Sequence, residues 1–461
     1  MLIRRSTLIF VVPITFVLLF LTSLKTGAHS RVTNSLKPLG EKLGDKAGKL
    51  WGKVEEEKEK EKEDDPLPKH PVYKNRPELK PSEIVDNFPL AVKAQSPKDL
   101  PPIPSWNKPP RKHVPEKTPL YIGFTRNWRL LQLTVVSYIT AGWPPEDIYV
   151  VENTGTMDSN KMGRLTLQNP FYLDYNRLTK VFGVNVLTTP TLLSFAQLQN
   201  FFLYEAIKNN CKAFFWGHMD VAAVSKEDKE PYKSLYMLSV DELRTSLAPG
   251  FARDDKGREG RWAIRFFAYD RLALVNTAAF VEVGAWDSFI PYYHTDCDMH
   301  ERLSMAGFKQ SNAFSGLVYD LATSLDDLLV LYRRKPGEDT SKPAKMAEDD
   351  FNSKHWLDMV HKLDAMQVEK LKEGPRNRWQ VTQTGGQGEP FYRDPQGFEL
   401  SILLTIDHGR AMFAEKWGHH DCNLREVGLR PDDAWKVEHD WDRPKEEKKK
   451  KKKKKGWFGR S

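Results

Sequence analysis

Short apolar runs alternate with segments of helical spacing between residues 120 and 220, and this alternation narrows the possible folds more than any other feature. The runs are of strand length, and they lie at residues 120–124, 147–152, 184–187 and 212–216. Helical spacing separates them at residues 129–141 and 195–207, and a longer apolar strand is predicted at 264–275. This order favours an α/β fold with a Rossmann-like mixed, mainly parallel sheet flanked by helices.

Charged residues follow three of the predicted strands. Arg126 comes just after the first run, and Glu152 ends the second. His218 and Asp220 follow the fourth. Ligands of parallel α/β sheets bind beyond the carboxyl ends of the strands. We therefore expect a ligand site where these four side chains fall.

Composition excludes two classes of protein. The 461 residues carry a formal net charge of +8, but the lysine run at 448–455 supplies most of that excess. The basic character therefore belongs to a tail, and no nucleic-acid partner is predicted. The chain has three cysteines, Cys211, Cys297 and Cys422. They are too few for a disulfide framework or a structural zinc site, although two of them could form one disulfide.

Residues 8–24 are the clearest candidate for a membrane span. This uncharged apolar run follows Arg4 and Arg5 and is close to the lower length limit for a bilayer helix. Basic residues before the run favour a cytoplasmic N-terminus, which makes residues 1–7 a cytoplasmic tail and the protein single-pass type II. A signal peptide cleaved near residues 26–28 is the alternative. A short span suits a thin early secretory membrane, so we expect the Golgi, with the folded domain in the lumen.

Composition also divides the remainder of the chain. Residues 55–65 form a mixed-charge run, and residues 66–119 are rich in proline. Such segments bury too little apolar area to offset the entropy of ordering, which predicts a disordered stem over residues 25–117. The folded domain is then predicted at residues 118–430. A disordered tail containing the lysine run is predicted at 431–461.

The segment 292–307 is rich in side chains that can do chemistry. Thr295 and Asp298 fit a capping box, and Gly307 fits the end of a helix. A capped surface helix is a sufficient explanation of Asp298. The functional interpretation requires Asp296 to lie just outside the helix and to face a cleft.

Taken in order, these segments resemble the nucleotide-sugar transferases of the GT-A fold, in particular glycosyltransferase family 2. The resemblance covers roughly residues 121–307. Residues 148–155, with Glu152 and Asn153, look like that family's strand, acidic residue and small-residue turn. His218-Met219-Asp220 stands at the place of its Asp-x-Asp motif.

The family's last motifs are a Gly-Gly-Phe-Asp-like turn and an acidic segment that ends in arginine. Residues 284–287 resemble the turn, and residues 295–302 resemble the acidic segment. By this match Asp296 stands at the position of the catalytic base.

The resemblance implies a role for each residue. Glu152, Asn153 and Arg126 would bind a UDP- or GDP-sugar donor. Asp220 and His218 would hold Mn²⁺ or Mg²⁺ against its diphosphate. Asp296 would take the proton of a hydroxyl on a glycan, protein or lipid acceptor, with inversion at the anomeric carbon. Some GT-A enzymes add a late histidine to the metal, which makes His419 and His420 candidates. Asp298 and Arg302, in the segment that resembles the family's acidic motif, are further candidates.

Two other functions remain open. Histidine at position 218 replaces the first acid of the metal motif, which would suit a catalytically inactive GT-A domain that binds glycans or scaffolds other transferases. The second alternative is a membrane-tethered basic protein that uses residues 448–455 to bind nucleic acid or lipid.

Overall fold

The computed structural model describes residues 70–73, 83–252, 260–335, 350–372, 386 and 388–442. The chain divides into two units, Met1–Lys80 and Pro81–Ser461, and every helix and strand below belongs to the second. The predicted membrane span and the lysine run lie outside the described residues. Within those residues, no helix is both long and apolar enough to cross a bilayer.

A seven-stranded sheet forms the centre of the second unit, and a two-stranded sheet lies apart from it. The strands are β1 (Leu120–Phe124), β2 (Ile148–Glu152), β3 (Asn185–Thr188), β4 (Ala213–Gly217), β5 (Val221–Val224), β6 (Arg261–Phe266), β7 (Leu272–Asn276), β8 (Phe308–Asn312) and β9 (Leu317–Asp320). The large sheet has the order β3-β2-β1-β4-β7-β6-β8, and in it only β7 runs antiparallel to its neighbours. The small sheet is the antiparallel pair β5 and β9. The prediction of a mixed, mainly parallel sheet is confirmed.

Helices cover both faces of the large sheet. The helices of the described residues are α1 (Pro89–Lys93), α2 (Trp128–Thr140), α3 (Phe195–Lys208), α4 (Leu235–Leu247), α5 (Thr277–Glu282), α6 (Thr295–Met305), α7 (Lys354–Lys372) and α8 (Pro395–Trp417). Side chains of α2 and α4 share one core with Leu120, Ile122 and Phe124 of β1. Side chains of α3, α5 and α6 share the other core with Tyr121. Successive side chains of β1 therefore point into two different cores, one on each face of the sheet. The sheet is the middle of three layers, with helices on either side.

Glycine allows α3 to lie close against β1. A Cβ atom at Gly123 would stand 2.6 Å from Cδ2 of Leu198 on that helix. The absence of a side chain at this position therefore leaves room for the Leu198 side chain against the sheet.

The folded unit begins well before residue 118. Phe88 is fully buried, and Leu328 donates its amide hydrogen to the carbonyl of Asn87 at 3.1 Å. Arg177 forms an ion pair with Asp86 at 2.5 Å. The predicted disordered stem is therefore wrong for residues 83–117. The prolines of this segment begin short helices, such as α1 and Pro97–Asp99, and its apolar side chains pack against the domain.

The chain also remains folded beyond residue 430. Trp435 donates its amide hydrogen to the carbonyl of Lys416 at 2.7 Å, and Asp440 donates to Gly418 at 3.0 Å. A short 3₁₀ helix spans Pro431–Asp433. The predicted disordered tail is therefore wrong for residues 431–442, because these residues fold back against the end of α8.

Candidate functional site

The loop between β4 and β5 carries His218 and Asp220. Gly217, the last residue of β4, pairs with Ile122 of β1, so the loop leaves the sheet at the carboxyl ends of these parallel strands. His218 Nδ1 lies 3.7 Å from Asp220 Oδ1, and Asp220 is only 8 % exposed. The predicted pair of side chains is therefore together at the expected edge.

The turn between β6 and β7 supplies a second carboxylate to His218. Asp270 Oδ2 lies 3.5 Å from His218 Nε2, and the His218 amide donates to the carbonyl of Arg271 at 3.1 Å. Burial lowers the pKa of the His218 imidazole, but the carboxylates of Asp270 and Asp220 raise it by more, so the net shift is upward. The imidazole therefore lies between two carboxylates that favour its protonated form.

The same turn reaches the predicted catalytic base. Tyr269 has a φ of 52°, its ring stacks on Phe266 at 5.7 Å, and its hydroxyl donates to Asp296 Oδ2 at 3.3 Å. Tyr269 and Asp270 are adjacent, so one turn contacts both Asp296 and His218. Asp220 and Asp296 therefore belong to one continuous group of side chains.

Asp296 lies inside the first turn of α6, so the prediction that it stands just outside the helix is wrong; in that turn the helix dipole favours a carboxylate. His300 follows one turn later, and its Nδ1 donates to Oε1 of Gln310 at 2.7 Å, since the Gln310 amide nitrogen is itself a donor. Burial lowers the pKa of His300, although Asp296 and Asp270 act to raise it. A neutral imidazole is therefore placed near the two carboxylates.

Asp298 does not cap α6, so the capping-box prediction is wrong. The residue before the helix is His294, which makes no side-chain cap, and Thr295 is already helical. Asp298 is fully buried and accepts hydrogen bonds from Arg302 at 2.8 Å and Trp417 at 2.9 Å. Lys416 forms an ion pair with it at 2.7 Å. Asp298 thus joins α6 to the end of α8 and is not accessible to a substrate.

Arg302 is also used in holding the fold. Its guanidinium donates to the carbonyls of Val283 at 2.5 Å and Ala285 at 2.7 Å. The carbonyl of Ala285 belongs to the turn that resembles the family's Gly-Gly-Phe-Asp motif, and that of Val283 immediately precedes this turn. Asp287 of that turn accepts from Lys416 at 2.7 Å. Residues 284–287 and 295–302, which resemble the family's last two motifs, are therefore bonded to one another and to α8, and they support the helix turn that carries Asp296.

A disulfide joins Cys297 of α6 to Cys422, which follows α8. Their Cα atoms are 5.2 Å apart. Cys211 is buried and is not part of a disulfide. The bond fixes the chain that follows α8 beside the first turn of α6, which carries Asp296.

Glu152 ends β2 at the same sheet edge and is almost fully buried. Its carboxylate accepts from Thr154 at 3.0 Å, from Asn160 at 2.6 Å and from Tyr175. It lines a cavity of about 100 Å³ with Thr154, Gly155, Met157 and residues 188–191. This cavity does not include Asp220 or Asp296, so Glu152 does not share it with the other two carboxylates.

Asn153 fastens β2 to the loop that precedes α3. Its side chain accepts from the Leu193 amide at 2.7 Å and donates to the Leu193 carbonyl at 2.9 Å. It also accepts from Thr189 at 3.1 Å. These contacts hold the wall of the cavity, and a direct contact of Asn153 with a donor remains a prediction.

Arg126 is buried beneath the start of α8. Its guanidinium lies 4.7 Å from the ring centroid of Phe398 and 5.9 Å from that of Phe171. The pKa of Arg126 is lowered to about 10, mainly because the guanidinium is buried; Tyr392 acts to raise this pKa, and neighbouring Arg393 acts to lower it. A contact between Arg126 and a donor remains a prediction.

The two late histidines have different surroundings. Both ring nitrogens of His419 are in hydrogen bonds, with Asp440 at 2.9 Å and Asn423 at 2.7 Å, so neither faces a metal. Burial lowers the pKa of His419, but these two partners raise it above its ordinary value. His420 is exposed and stacks on Trp441 at 4.0 Å. No contact joins either histidine to Asp220 within the described chain.

His218 and Asp220 can hold a cation only together with other ligands. Two ligands that are each about 2.1 Å from one ion lie roughly 3.0–3.6 Å apart, close to the 3.7 Å that separates His218 Nδ1 from Asp220 Oδ1. Ligation would require His218 to lose its proton, against the two carboxylates. The residues therefore fit a divalent cation whose remaining ligands are phosphate oxygens or water.

Two other features of the described chain do not provide a metal or donor site. One set of three metal-type side chains has its ligand atoms within 4.8 Å, namely His294, Cys297 and Cys422, but its cysteines are consumed in the disulfide. A cavity of about 460 Å³ is lined mainly by prolines and apolar side chains of residues 97–109, α2 and neighbouring segments. It contains none of the predicted site residues.

Tyr269, Asp270, His300 and Lys370 belong to this group of side chains but were not predicted from the sequence. His300 carries a usable signal, because it follows Asp296 by four residues and therefore lies on the same helix face. Tyr269 and Asp270 fall inside the predicted strand 264–275, which the structure divides into β6 and β7. Lys370 donates to Asp220 Oδ2 at 2.8 Å from a helix 150 residues further along the chain.

The fold and the site together define an α/β protein with a mainly parallel sheet and charged side chains at the carboxyl ends of its strands. No protein-family model and no curated protein matches the chain.

Several solved structures are similar to the chain, at low identity. A mannosyltransferase, PcManGT from Pyrobaculum calidifontis in complex with GDP-Man and Mn²⁺, is 10 % identical over 73 % of this chain and 82 % of that chain, with a TM-score of 0.29. A cytidylyltransferase from Leptospira borgpetersenii serovar Hardjo-bovis is 9 % identical over 63 % and 97 %, with a TM-score of 0.26. S. aureus TarS is 7 % identical over 66 % and 56 %, with a TM-score of 0.30. Likeness at this level does not establish a function for the chain.

Proposed function

We propose that this protein is a glycosyltransferase that moves a sugar from a nucleotide-sugar donor to a hydroxyl of a glycan, protein or lipid. One observation carries the proposal. Asp220 and Asp296, far apart in the sequence, are joined through His218 and the adjacent pair Tyr269 and Asp270. A charged loop at the carboxyl ends of parallel strands and a partly exposed carboxylate at a helix N-terminus suit such a transfer.

The donor half of the site would lie along the ends of β2 and β4. The nucleoside would bind beside the cavity that Glu152 lines, and its diphosphate would lie against His218 and Asp220. Mn²⁺ or Mg²⁺, when bound there, would neutralise charge that develops on the departing diphosphate. Mn²⁺ accepts an imidazole ligand more readily than Mg²⁺ does, so His218 favours Mn²⁺.

In the acceptor half, Asp296 would be the base. The acceptor oxygen forms a bond to C1 of the sugar while its proton passes to the Asp296 carboxylate. The bond between C1 and the diphosphate oxygen breaks, and its electron pair leaves with the nucleoside diphosphate. A single displacement inverts configuration at C1. Tyr269 would orient the carboxylate through its hydrogen bond.

We also propose a luminal position in the Golgi, with residues 8–24 as a type II anchor. The Cys297–Cys422 disulfide supports an oxidising compartment, because such bonds are rare where thiols are kept reduced. Protease protection of the folded domain in sealed microsomes tests the topology. Digestion of that domain without detergent would contradict it.

A panel of nucleotide sugars tests the activity. We expect one UDP- or GDP-sugar to raise the thermal midpoint in the presence of Mn²⁺, and we expect product to form from the same donor. Asp220→Asn should reduce both effects, whereas Asp326→Asn, which changes an exposed aspartate, should leave them unchanged.

Binding without any transfer or hydrolysis would instead favour the inactive, glycan-binding alternative. Two observations keep that alternative in view: His218 stands in place of an acid, and the ammonium of Lys370 is bonded to Asp220. No rise in the midpoint with any nucleotide sugar would contradict the proposed transferase.

A further inference from the structure

A lysine from outside the sheet is inserted beside the proposed cation site. Lys370 lies in the last turn of α7, and its side chain is 14 % exposed. Its ammonium donates to Asp220 Oδ2 at 2.8 Å, to Asp320 Oδ1 at 2.5 Å and to the carbonyl of Leu321 at 3.1 Å. The carboxylate proposed to bind the cation therefore already has a positive partner.

The surroundings of Lys370 hold it in this place. Gln367, one turn earlier on α7, accepts from the Asp320 amide at 2.8 Å and from Arg271 at 3.1 Å. The carbonyl of Asp220 accepts from the Leu321 amide at 2.8 Å. Helix α7 is thus attached to Asp320 at the end of β9 and to Asp220 just before β5, and the lysine is part of a built arrangement.

The position of the ammonium has a direct electrostatic consequence. It occupies one oxygen of Asp220, while the other faces His218 at 3.7 Å. A cation bound to Oδ1 of Asp220 would therefore share one carboxylate with the Lys370 ammonium and would lie close to it. Like charges at such a separation repel strongly where water is partly excluded. The ammonium therefore opposes a divalent cation until further negative charge arrives.

We propose that Lys370 is a built-in counter-cation that makes metal binding at Asp220 conditional on the nucleotide. This inference rests on the proposed function, because the extra negative charge is the donor diphosphate. Without nucleotide, Lys370 neutralises Asp220 and the site holds Mn²⁺ weakly. With nucleotide, the diphosphate oxygens supply both charge and ligands, and the metal binds. Lys370 acts through Asp220, so it is a positioning residue.

Mn²⁺ binding, followed by electron paramagnetic resonance of the free ion, tests this role without any measurement of turnover. For the nucleotide-free protein, Lys370→Gln should tighten Mn²⁺ binding by about tenfold or more, because one positive charge close to the ion is removed. Lys370→Arg, which keeps the charge, should stay near wild type. Lys362→Gln, an exposed lysine on the same helix, is the matched control and should change nothing.

The effect of nucleotide is the second half of the test. UDP or GDP should strengthen Mn²⁺ binding to the wild type by a larger factor than to Lys370→Gln. In the wild type the diphosphate also offsets the charge of the Lys370 ammonium, and this adds to the coupling between nucleotide and metal. Equal factors, or Mn²⁺ binding that is unchanged or weaker in nucleotide-free Lys370→Gln, would overturn the inference. If the Gln variant fails to fold by circular dichroism, Lys370→Met retains the apolar stem of the side chain and is judged by the same outcomes.

Asp220→Asn separates this inference from the proposed function. If Asp220→Asn weakens Mn²⁺ binding and Lys370→Gln has no effect, only the role of Lys370 is lost. If Asp220→Asn leaves Mn²⁺ binding unchanged, Asp220 is not a metal ligand, and the metal-assisted function fails with the inference.

Discussion

At the scale of residues, two carboxylates on one helix have opposite surroundings. Asp298 is fully buried and is bonded to Arg302, Trp417 and Lys416. Asp296 is partly exposed and is bonded to the hydroxyl of Tyr269. Two positions along a helix turn the side chain by about 200°, which directs Asp298 toward α8 and leaves Asp296 beside Tyr269.

Tyr269 should affect catalysis more than binding. Tyr269→Phe removes a hydrogen bond to Asp296 but keeps the ring that stacks on Phe266. We expect kcat to fall by about tenfold, the value of one hydrogen bond to a charged group, with the nucleotide-induced rise in thermal midpoint unchanged. Steady-state kinetics and thermal shift measure the two effects. Tyr204→Phe, on the exposed face of α3, is the control, and an equal loss of rate in both variants would contradict the role.

His113 should make stability depend on pH. Its Nδ1 donates to the carbonyl of Val114 at 2.7 Å, and this bond raises the pKa of His113 most; burial lowers the pKa, and the Asp147 carboxylate raises it again. The net shift is above the ordinary 6.5, so the stabilisation is complete below that value and is lost as pH rises through the folded-state pKa.

The excess stability of wild type over His113→Gln should therefore be larger at pH 6 than at pH 8.5, when both proteins are unfolded with urea. His361→Gln, exposed on α7, is the control. A difference that is constant between the two pH values, or that grows with pH, would contradict the assignment.

At the scale of elements, the end of α8 and the start of α6 form one structural joint. Lys416 lies between Asp298 and Asp287, and the Cys297–Cys422 disulfide closes the same joint covalently. A joint of this kind beneath Asp296 fixes the direction in which the helix N-terminus points. Rigid support is what a base needs in order to stay within reach of an acceptor hydroxyl.

The joint predicts a contrast between neighbouring alanine variants. Asp298→Ala leaves Lys416 and Arg302 without a buried partner carboxylate and should lower the free energy of unfolding by about 3–5 kcal/mol. Asp296→Ala, at a partly exposed position, should lower it by less than about 1 kcal/mol. Denaturant unfolding followed by tryptophan fluorescence measures both. Similar losses for the two variants would show that Asp298 does not anchor α6.

At the scale of the whole molecule, local periodicity was enough to predict the strands that carry the donor half of the site. β2 ends at Glu152 and β4 ends just before His218, as the sequence indicates. These strands are short and apolar, and polar residues mark their ends. The sequence could not predict how far the domain extends, because the proline-rich residues 83–117 bury their apolar side chains against segments hundreds of residues away.

Long-range contacts explain the other differences. The turn at residues 267–271 contains neither glycine nor proline, so no local signal divides β6 from β7 or exposes Tyr269 and Asp270 as site residues. Asp298 fits a cap by sequence, but Lys416 and Trp417, more than a hundred residues later, determine its direction. Lys370 likewise meets Asp220 only through the tertiary fold.

The central claim is that Asp296 acts at the same site that binds the nucleotide through Asp220. Its most direct test is product formation by Asp296→Asn, measured with whichever nucleotide sugar stabilises the wild type. We expect transfer to fall by about a hundredfold or more, because proton abstraction by a positioned base is worth at least that factor. The nucleotide-induced rise in thermal midpoint should remain. Transfer at the wild-type rate in this variant would contradict the account.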